Sequence, residues 1–113
     1  MLLRIQSWDE RRRPITLEQV IQDIHTLTSE LETFEKKYAI LSEDFYRLYL
    51  AGELRDEEPE EIQTYGKWAA FYETRQHRLE LYHRAFAEWL NTARASAPTN
   101  GLTLHSHAHL AEA

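Results

Sequence analysis

Three imidazoles, His105, His107 and His109, alternate near the end of the chain. In an extended strand a period of two puts all three on one side, where neutral ring nitrogens could hold zinc, nickel or copper. The chain has no cysteine to complete such a set, and histidine-rich tracts also take up metal adventitiously. Glu80-x-x-His83 is a second metal-like spacing. Carboxylate di-metal bundles need that pattern on two helices, and it occurs here once. There is no Gly-rich phosphate loop, no nucleophile elbow and no H-E-x-x-H, so the expectation is a non-enzymatic protein without a cofactor.

Aromatic residues form the other conspicuous group. Trp68, Phe71, Tyr72, Tyr82, Phe86 and Trp89 accompany Arg75 and Arg78, and Trp68, Arg75, Tyr82 and Trp89 recur every seven residues. Such a stripe can be the edge of a core, a protein-binding hot spot, or a stacking surface for nucleic acid. Core packing is the leading reading.

Long helices must carry these residues. Leu17, Val20, Ile24, Leu27, Leu31, Phe34 and Tyr38 follow a 3-4 rhythm through three heptads, the pattern of an amphipathic helix that needs a partner. Thr16 and Gln19 are spaced as a capping box, so the helix is placed at about 17–38. A second, shorter helix opens at Leu41-Ser42-Glu43-Asp44, with Ser42 read as its cap, and stops at Gly52. The run 53–61 is a connector rich in acids, with Pro59 leading into a third helix at about 60–95. The seam expected on that helix runs through Ile62, Tyr65, Ala69, Tyr72, Leu79, Phe86 and Leu90, with Gln76 and His83 as polar interruptions. About 36 residues make roughly 54 Å of helix, far longer than a compact chain of this size needs, so it either breaks near Gly66 or projects. Pro98 and Asn100-Gly101 end it, and 102–110 alternate as a short strand or a tail.

With 113 residues, 42% hydrophobic and 28% charged, the chain supports one modest domain. Three parts are expected: an N-terminal arm at 1–15, a helical domain at 16–95, and a histidine-containing tail at 96–113. Without cysteines, an apolar run of membrane-spanning length or a signal-peptide order of charges, the expectation is a cytoplasmic protein with no membrane partner. The net charge of −6 is unevenly spread. Residues 16–35 hold five acids and no Lys or Arg, and 42–61 hold eight acids against Arg47 and Arg55; beyond that run the third helix carries Lys67, Arg75, Arg78, Arg84 and Arg94 against Glu73, Glu80 and Glu88. That division favours attraction between the front elements and the last helix, or to a basic partner. Nucleic-acid binding is weakly supported, through phosphate contacts from Arg4, Arg11, Arg12 and Arg13.

The fold class expected is all-α. The first and third helices form a long antiparallel hairpin with coiled-coil-like packing, crossed by the short helix. A dimer is expected through Leu17, Val20, Ile24, Leu27, Leu31 and Phe34, unless that face fills a partner's groove.

Four segments occur in order: Phe34-Glu35-Lys36-Lys37-Tyr38, Ser42-Glu43-Asp44-Phe45-Tyr46, Ala51-Gly52-Glu53-Leu54 with Asp56, and Trp68-Ala69-Ala70-Phe71-Tyr72-Glu73. Over residues 30–75 this order resembles a small bacterial and archaeal helical family of antitoxin components encoded beside TumE-type toxins. The chain departs from that pattern at Ala39, where glycine is usual, and in a longer connector between the GEL and WAA segments. The resemblance implies that Tyr38, Phe45, Tyr46, Gly52, Leu54, Trp68 and Tyr72 form a helical corner. It further implies a non-enzymatic protein that neutralises a cognate toxin. Candidate partner contacts are Phe45, Tyr46, Tyr49, Glu57, Glu58, Trp68, Tyr72 and Arg75. The competing reading is a helical adaptor or structural subunit of a larger complex, a nucleic-acid-associated one included.

Overall fold

The structure, a computed structural model, describes residues 15–96, 99 and 101–106. It is all-helical among those residues: α1 is Leu17–Tyr38, α2 is Ser42–Leu50 and α3 is Pro59–Ser96. No strand occurs among them, and 101–106, which include His105, are neither helix nor strand. His107, His109 and most of the arm, including its arginines, lie outside the described residues.

Each helix boundary has a local chemical cause. At the start of α1 the Thr16 hydroxyl accepts from the Gln19 amide at 3.2 Å, while Gln19 Oε1 accepts from the Thr16 amide at 2.9 Å. Both free donors are thereby satisfied. The helix ends at Ala39, which takes the left-handed conformation with φ 58°. A Cβ is disfavoured there, which is why glycine is the usual choice.

At the end of α2, Gly52 takes φ 71°. Its amide donates to Tyr49 O and the Glu53 amide donates to Leu48 O, at 3.1 and 3.0 Å. These are the two bonds of a Schellman stop. α3 begins with Pro59, whose missing N–H costs nothing in a first turn. Glu61 reaches back to accept from the Glu58 amide at 3.1 Å.

The start of α2 departs from expectation. Its N-cap is Leu41, which supplies no side-chain bond, and Ser42 is buried instead of capping. The Ser42 side chain faces the core because its hydroxyl serves both Glu35 and Trp68, as described below.

α3 is one unbroken helix of 38 residues. At about 1.5 Å per residue it is about 57 Å long, close to the 59 Å long axis of the molecule. It does not break at Gly66. The most extensive packing is α1 on α3, with α2 closing one end. Tyr38 meets Tyr65 and Trp68, and Phe34 meets Trp68 and Phe71. Further along, Thr28 accepts from Arg75 and Asp23 from Arg78.

The heptad face of α1 points inward as its spacing requires. Val20 and Leu31 are buried, Ile24, Leu27 and Phe34 are half-buried, and Leu17 is 42% exposed. That face is filled by the chain's own α3, so the dimer seam drawn through these residues is largely consumed within one molecule. On α3 the seam drawn from Ile62 is met in part: Ala69 is buried, with Tyr65 and Tyr72 packed against the cluster it belongs to, and the rest departs. Ile62 is 54% exposed, and Gln76 and His83 face solvent. The inward face is centred on Trp68 and Arg75, which lie about 20° apart at about 100° per residue, with Ile62 about 120° from Trp68.

Two substitutions test the opposite ends of this left-handed preference. Ala39→Gly is expected to stabilise by about 0.5–1 kcal/mol, the relief of the strained Cβ less the added freedom of the unfolded chain. Gly52→Ala, where an added Cβ meets no atom within 4 Å, is expected to destabilise by about 1 kcal/mol from backbone strain alone. Urea unfolding midpoints check both.

Candidate functional site

Trp68 and Phe45, 1% and 2% exposed, sit at the meeting point of the three helices. Their rings stack with centroids 3.8 Å apart, and Phe34 stacks on Trp68 at 5.2 Å. Leu31, Ala69, Tyr38, Tyr49, Leu54 and Tyr65 complete the surroundings. Burying rings of this size stabilises by roughly 1.5–3 kcal/mol each, but the indole N–H must then find an acceptor.

Ser42 supplies it: Trp68 Nε1 donates to Ser42 Oγ at 2.9 Å. The same hydroxyl donates to Glu35 Oε2 at 2.7 Å, and the Ser42 amide donates to that oxygen at 2.9 Å. One residue from each helix is thus joined in a fully paired polar chain. Of the residues that the resemblance groups into a corner, Tyr38, Phe45, Tyr46, Leu54, Trp68 and Tyr72 pack here, while Gly52 is exposed outside the cluster. Their packing gives the fold its shape and says nothing about a toxin.

Two of the candidate partner contacts must be corrected. Phe45 and Trp68 lie inside the core, because their rings stack on each other and the indole bonds Ser42, so neither presents a surface. Tyr46, Tyr49, Tyr72 and Arg75 are half-buried, and only Glu57 and Glu58 are fully available. Arg75 Nε donates to Thr28 Oγ1 at 2.8 Å, and Arg78 Nε pairs with Asp23 Oδ2 at 2.8 Å. These bonds join α1 to α3. Arg78 Nη1 is withdrawn from solvent without an acceptor, a cost the ion pair has to offset.

Two surface grooves flank the corner. One, of about 360 Å³, lies among Thr28, Glu32, Glu35, Glu43, Tyr72 and Arg75. The other, of about 370 Å³, is lined by Tyr49, Leu50, Gly52, Leu54, Asp56 and Tyr65. Beside the second run the exposed acids Glu53, Asp56, Glu57, Glu58 and Glu60. Leu41 and Leu50, 60% and 66% exposed, stand at the two ends of α2, one at each groove. Sequence spacing did not single out these two leucines, since each sits at a helix end where periodicity has too few turns to assign a face.

The electrostatics are local. Glu61 is held below the usual carboxylate range, first by the Glu58 amide it accepts from and then by Arg55, whose guanidinium lies 2.6 Å away. Arg47 pairs with Asp44 on the exposed side of α2. Tyr46 donates to Glu73 Oε2 at 2.6 Å. That bond, with burial and the nearby carboxylate charge adding to it, pushes the phenol from 10.0 up to about 12. None of these groups forms a nucleophile–base pair, and no cluster of three or more His, Cys, Asp or Glu able to hold a metal occurs among the described residues.

Two measurements check this arrangement. Ser42→Ala leaves the buried indole N–H without an acceptor and is expected to cost about 1–3 kcal/mol, while Ser29→Ala on the exposed side of α1 stays within about 0.5 kcal/mol. In an alkaline titration followed at 295 nm, one tyrosine is expected to ionise near 12 and to return toward 10 in Glu73→Gln. Because the folded value is raised, the stabilisation is full below pH 10 and fades as pH climbs toward 12.

Compared with known protein families, with curated proteins and with solved structures, the chain matches none of them.

Proposed function

We propose that this chain is a non-enzymatic protein-binding module that docks a basic protein through the acidic connector and the leucine–tyrosine corner beside it. The carrying observation is the juxtaposition at that corner. Exposed Leu50 stands at a groove of mixed polarity lined by Tyr49, Leu54, Asp56 and Tyr65, and the connector that carries Glu57, Glu58 and Glu60, all exposed, runs on from it. Tyrosine and leucine side chains beside a charged rim are common in protein interfaces, and the rim charge speeds encounter with an opposite field.

In its specific form the proposal is an antitoxin-like component, cytoplasmic, that covers a cognate toxin. The support for that form is the order of the four motifs and the acidic corner they surround. An antiparallel, coiled-coil-like pairing of α1 with α3 belongs to the same proposal. Its support is the sequence of contacts, in which Tyr38, Phe34, Thr28 and Asp23 meet Tyr65, Trp68, Arg75 and Arg78 in turn. Among the described residues no helix is long and apolar enough to cross a membrane. One observation favours the adaptor reading: α3 carries Phe86 and Trp89, each 40% exposed, on its last turns.

Co-purification with the product of the neighbouring gene, with mass by light scattering, tests the role. A stoichiometric complex with a small basic protein, toxic when alone, is the expected result, and a chain that captures no such product overturns the antitoxin form. In that complex, reversing Glu57, Glu58 and Glu60 to Lys is expected to weaken binding about tenfold, mainly through slower association that depends on salt. Unchanged association kinetics would remove the connector from the interface.

A further inference from the structure

The groove of about 370 Å³ lined by Tyr49, Leu50, Gly52, Leu54, Asp56 and Tyr65 lies where α2 stops. Three of its features favour a positive charge, each for a different physical reason. The first is the carboxylate of Asp56, an exposed residue on its wall. The second is the end of α2 itself, since the C-terminus of a helix carries the negative end of its dipole. Tyr49, Leu50 and Gly52 bring that end to the groove. The carbonyls of Arg47, Leu48 and Tyr49 accept there from the amides of Ala51, Glu53 and Gly52, while that of Leu50 has no donor among the described residues. Two tyrosines supply the third feature, because the electron-rich face of a phenol ring attracts a cation. Both are held from the inner side: buried Phe45 stacks on Tyr49 at 5.6 Å and lies 5.8 Å from Tyr65.

The chain's own cations are committed elsewhere. No Lys, Arg or His lines the groove among the described residues. Arg47, the basic residue in the last turn of α2, pairs with Asp44. Arg55, next to Asp56 in sequence, pairs with Glu61 at 2.6 Å. The exposed acids Glu53, Glu57, Glu58 and Glu60 on the connector add to the same negative field.

We propose that this groove receives one arginine side chain of a partner protein. The inference rests on the reading of this corner as a docking surface for a basic protein, and names the group that the surface takes. A volume of about 370 Å³ is near the small end of ligand pockets, roughly 300–1,000 Å³, which suits one long side chain better than a folded segment. Of the two cationic side chains that are charged at every physiological pH, the lining selects the guanidinium. It is planar, so it packs on a tyrosine ring and still donates within its own plane to Asp56 and to the end of α2. It is also more weakly hydrated than an ammonium and loses less on leaving water. A lysine ammonium is a compact point charge, which the exposed glutamates of the connector serve equally well.

NMR of the full chain, titrated with acetyl-Gly-Arg-Gly-amide and with its lysine and citrulline counterparts, tests the site without the partner. The titrations are made in about 0.15 M salt, where distant charges are screened. The expected result is a saturable shift of the Gly52, Leu54 and Asp56 amides and of the Tyr49 and Tyr65 ring signals. The arginine peptide is expected to bind about threefold more tightly than the lysine peptide, and the uncharged citrulline peptide not to saturate. Asp56→Asn is expected to weaken the arginine peptide about fivefold, and Glu57→Gln with Glu58→Gln less than about twofold. No saturable shift at these positions overturns the proposal. So do equal affinities for the arginine and lysine peptides, or a loss that follows Glu57 and Glu58 instead of Asp56. A stoichiometric complex with the neighbouring gene's product, beside an arginine peptide that does not bind, keeps the docking surface and removes the arginine site. Binding selective for arginine without such a complex keeps the site and removes the antitoxin form.

Discussion

The hydroxyl of Ser42 is the constraint on which the corner of this fold depends. It accepts from the Trp68 indole and donates to Glu35, so a single oxygen ties α1, α2 and α3 together. Hydrophobic burial alone would bring Trp68 and Phe45 inside, but it would not fix their angles. The paired polar chain does, because an indole N–H left without an acceptor in the core costs far more than a net hydrogen bond contributes. With Trp68 so oriented, Phe34, Tyr38 and Phe45 stack against it.

Function and stability draw on different residues at this corner. The rings that look most like interface anchors in composition, Trp68 and Phe45, are the ones the fold consumes. What remains for a partner is a ring of carboxylates on the connector and a few leucines at helix ends. Glu61 is not among the free charges, since it is engaged with the Glu58 amide and Arg55. The available field is therefore carried by Glu53, Asp56, Glu57, Glu58 and Glu60, which stand in solvent where salt screens them. Charges of this kind give speed and selectivity of encounter rather than lasting affinity.

Away from the corner, the molecule changes character. Between α1 and the middle of α3 the contact is mixed, with Arg75 and Arg78 reaching Thr28 and Asp23 across an otherwise apolar face. Polar contacts of this kind set which residues lie opposite each other, because sliding by one turn would strand two guanidinium groups. The acidic character of α1 meets the arginines of α3 here in one ion pair, Arg78 with Asp23, beside the Arg75–Thr28 bond.

Much of the architecture is legible in the residues alone. Thr16 and Gln19 announce the start of α1, Gly52 the end of α2, and the heptads of α1 its buried face, because these signals act within one or two turns of chain. All-helical character follows from the same local rules. What only the tertiary structure decided is which face of α3 turns inward and what Ser42 does. Both the seam through Ile62 and the stripe through Trp68 are consistent with a helix, and the choice between them rests on Phe34, Phe45 and the arginine contacts from α1. Likewise a serine at the head of a helix caps it by default. Here Glu35, seven residues earlier, and Trp68, 26 residues later, take its hydroxyl instead, and no local rule can anticipate partners so far apart in sequence.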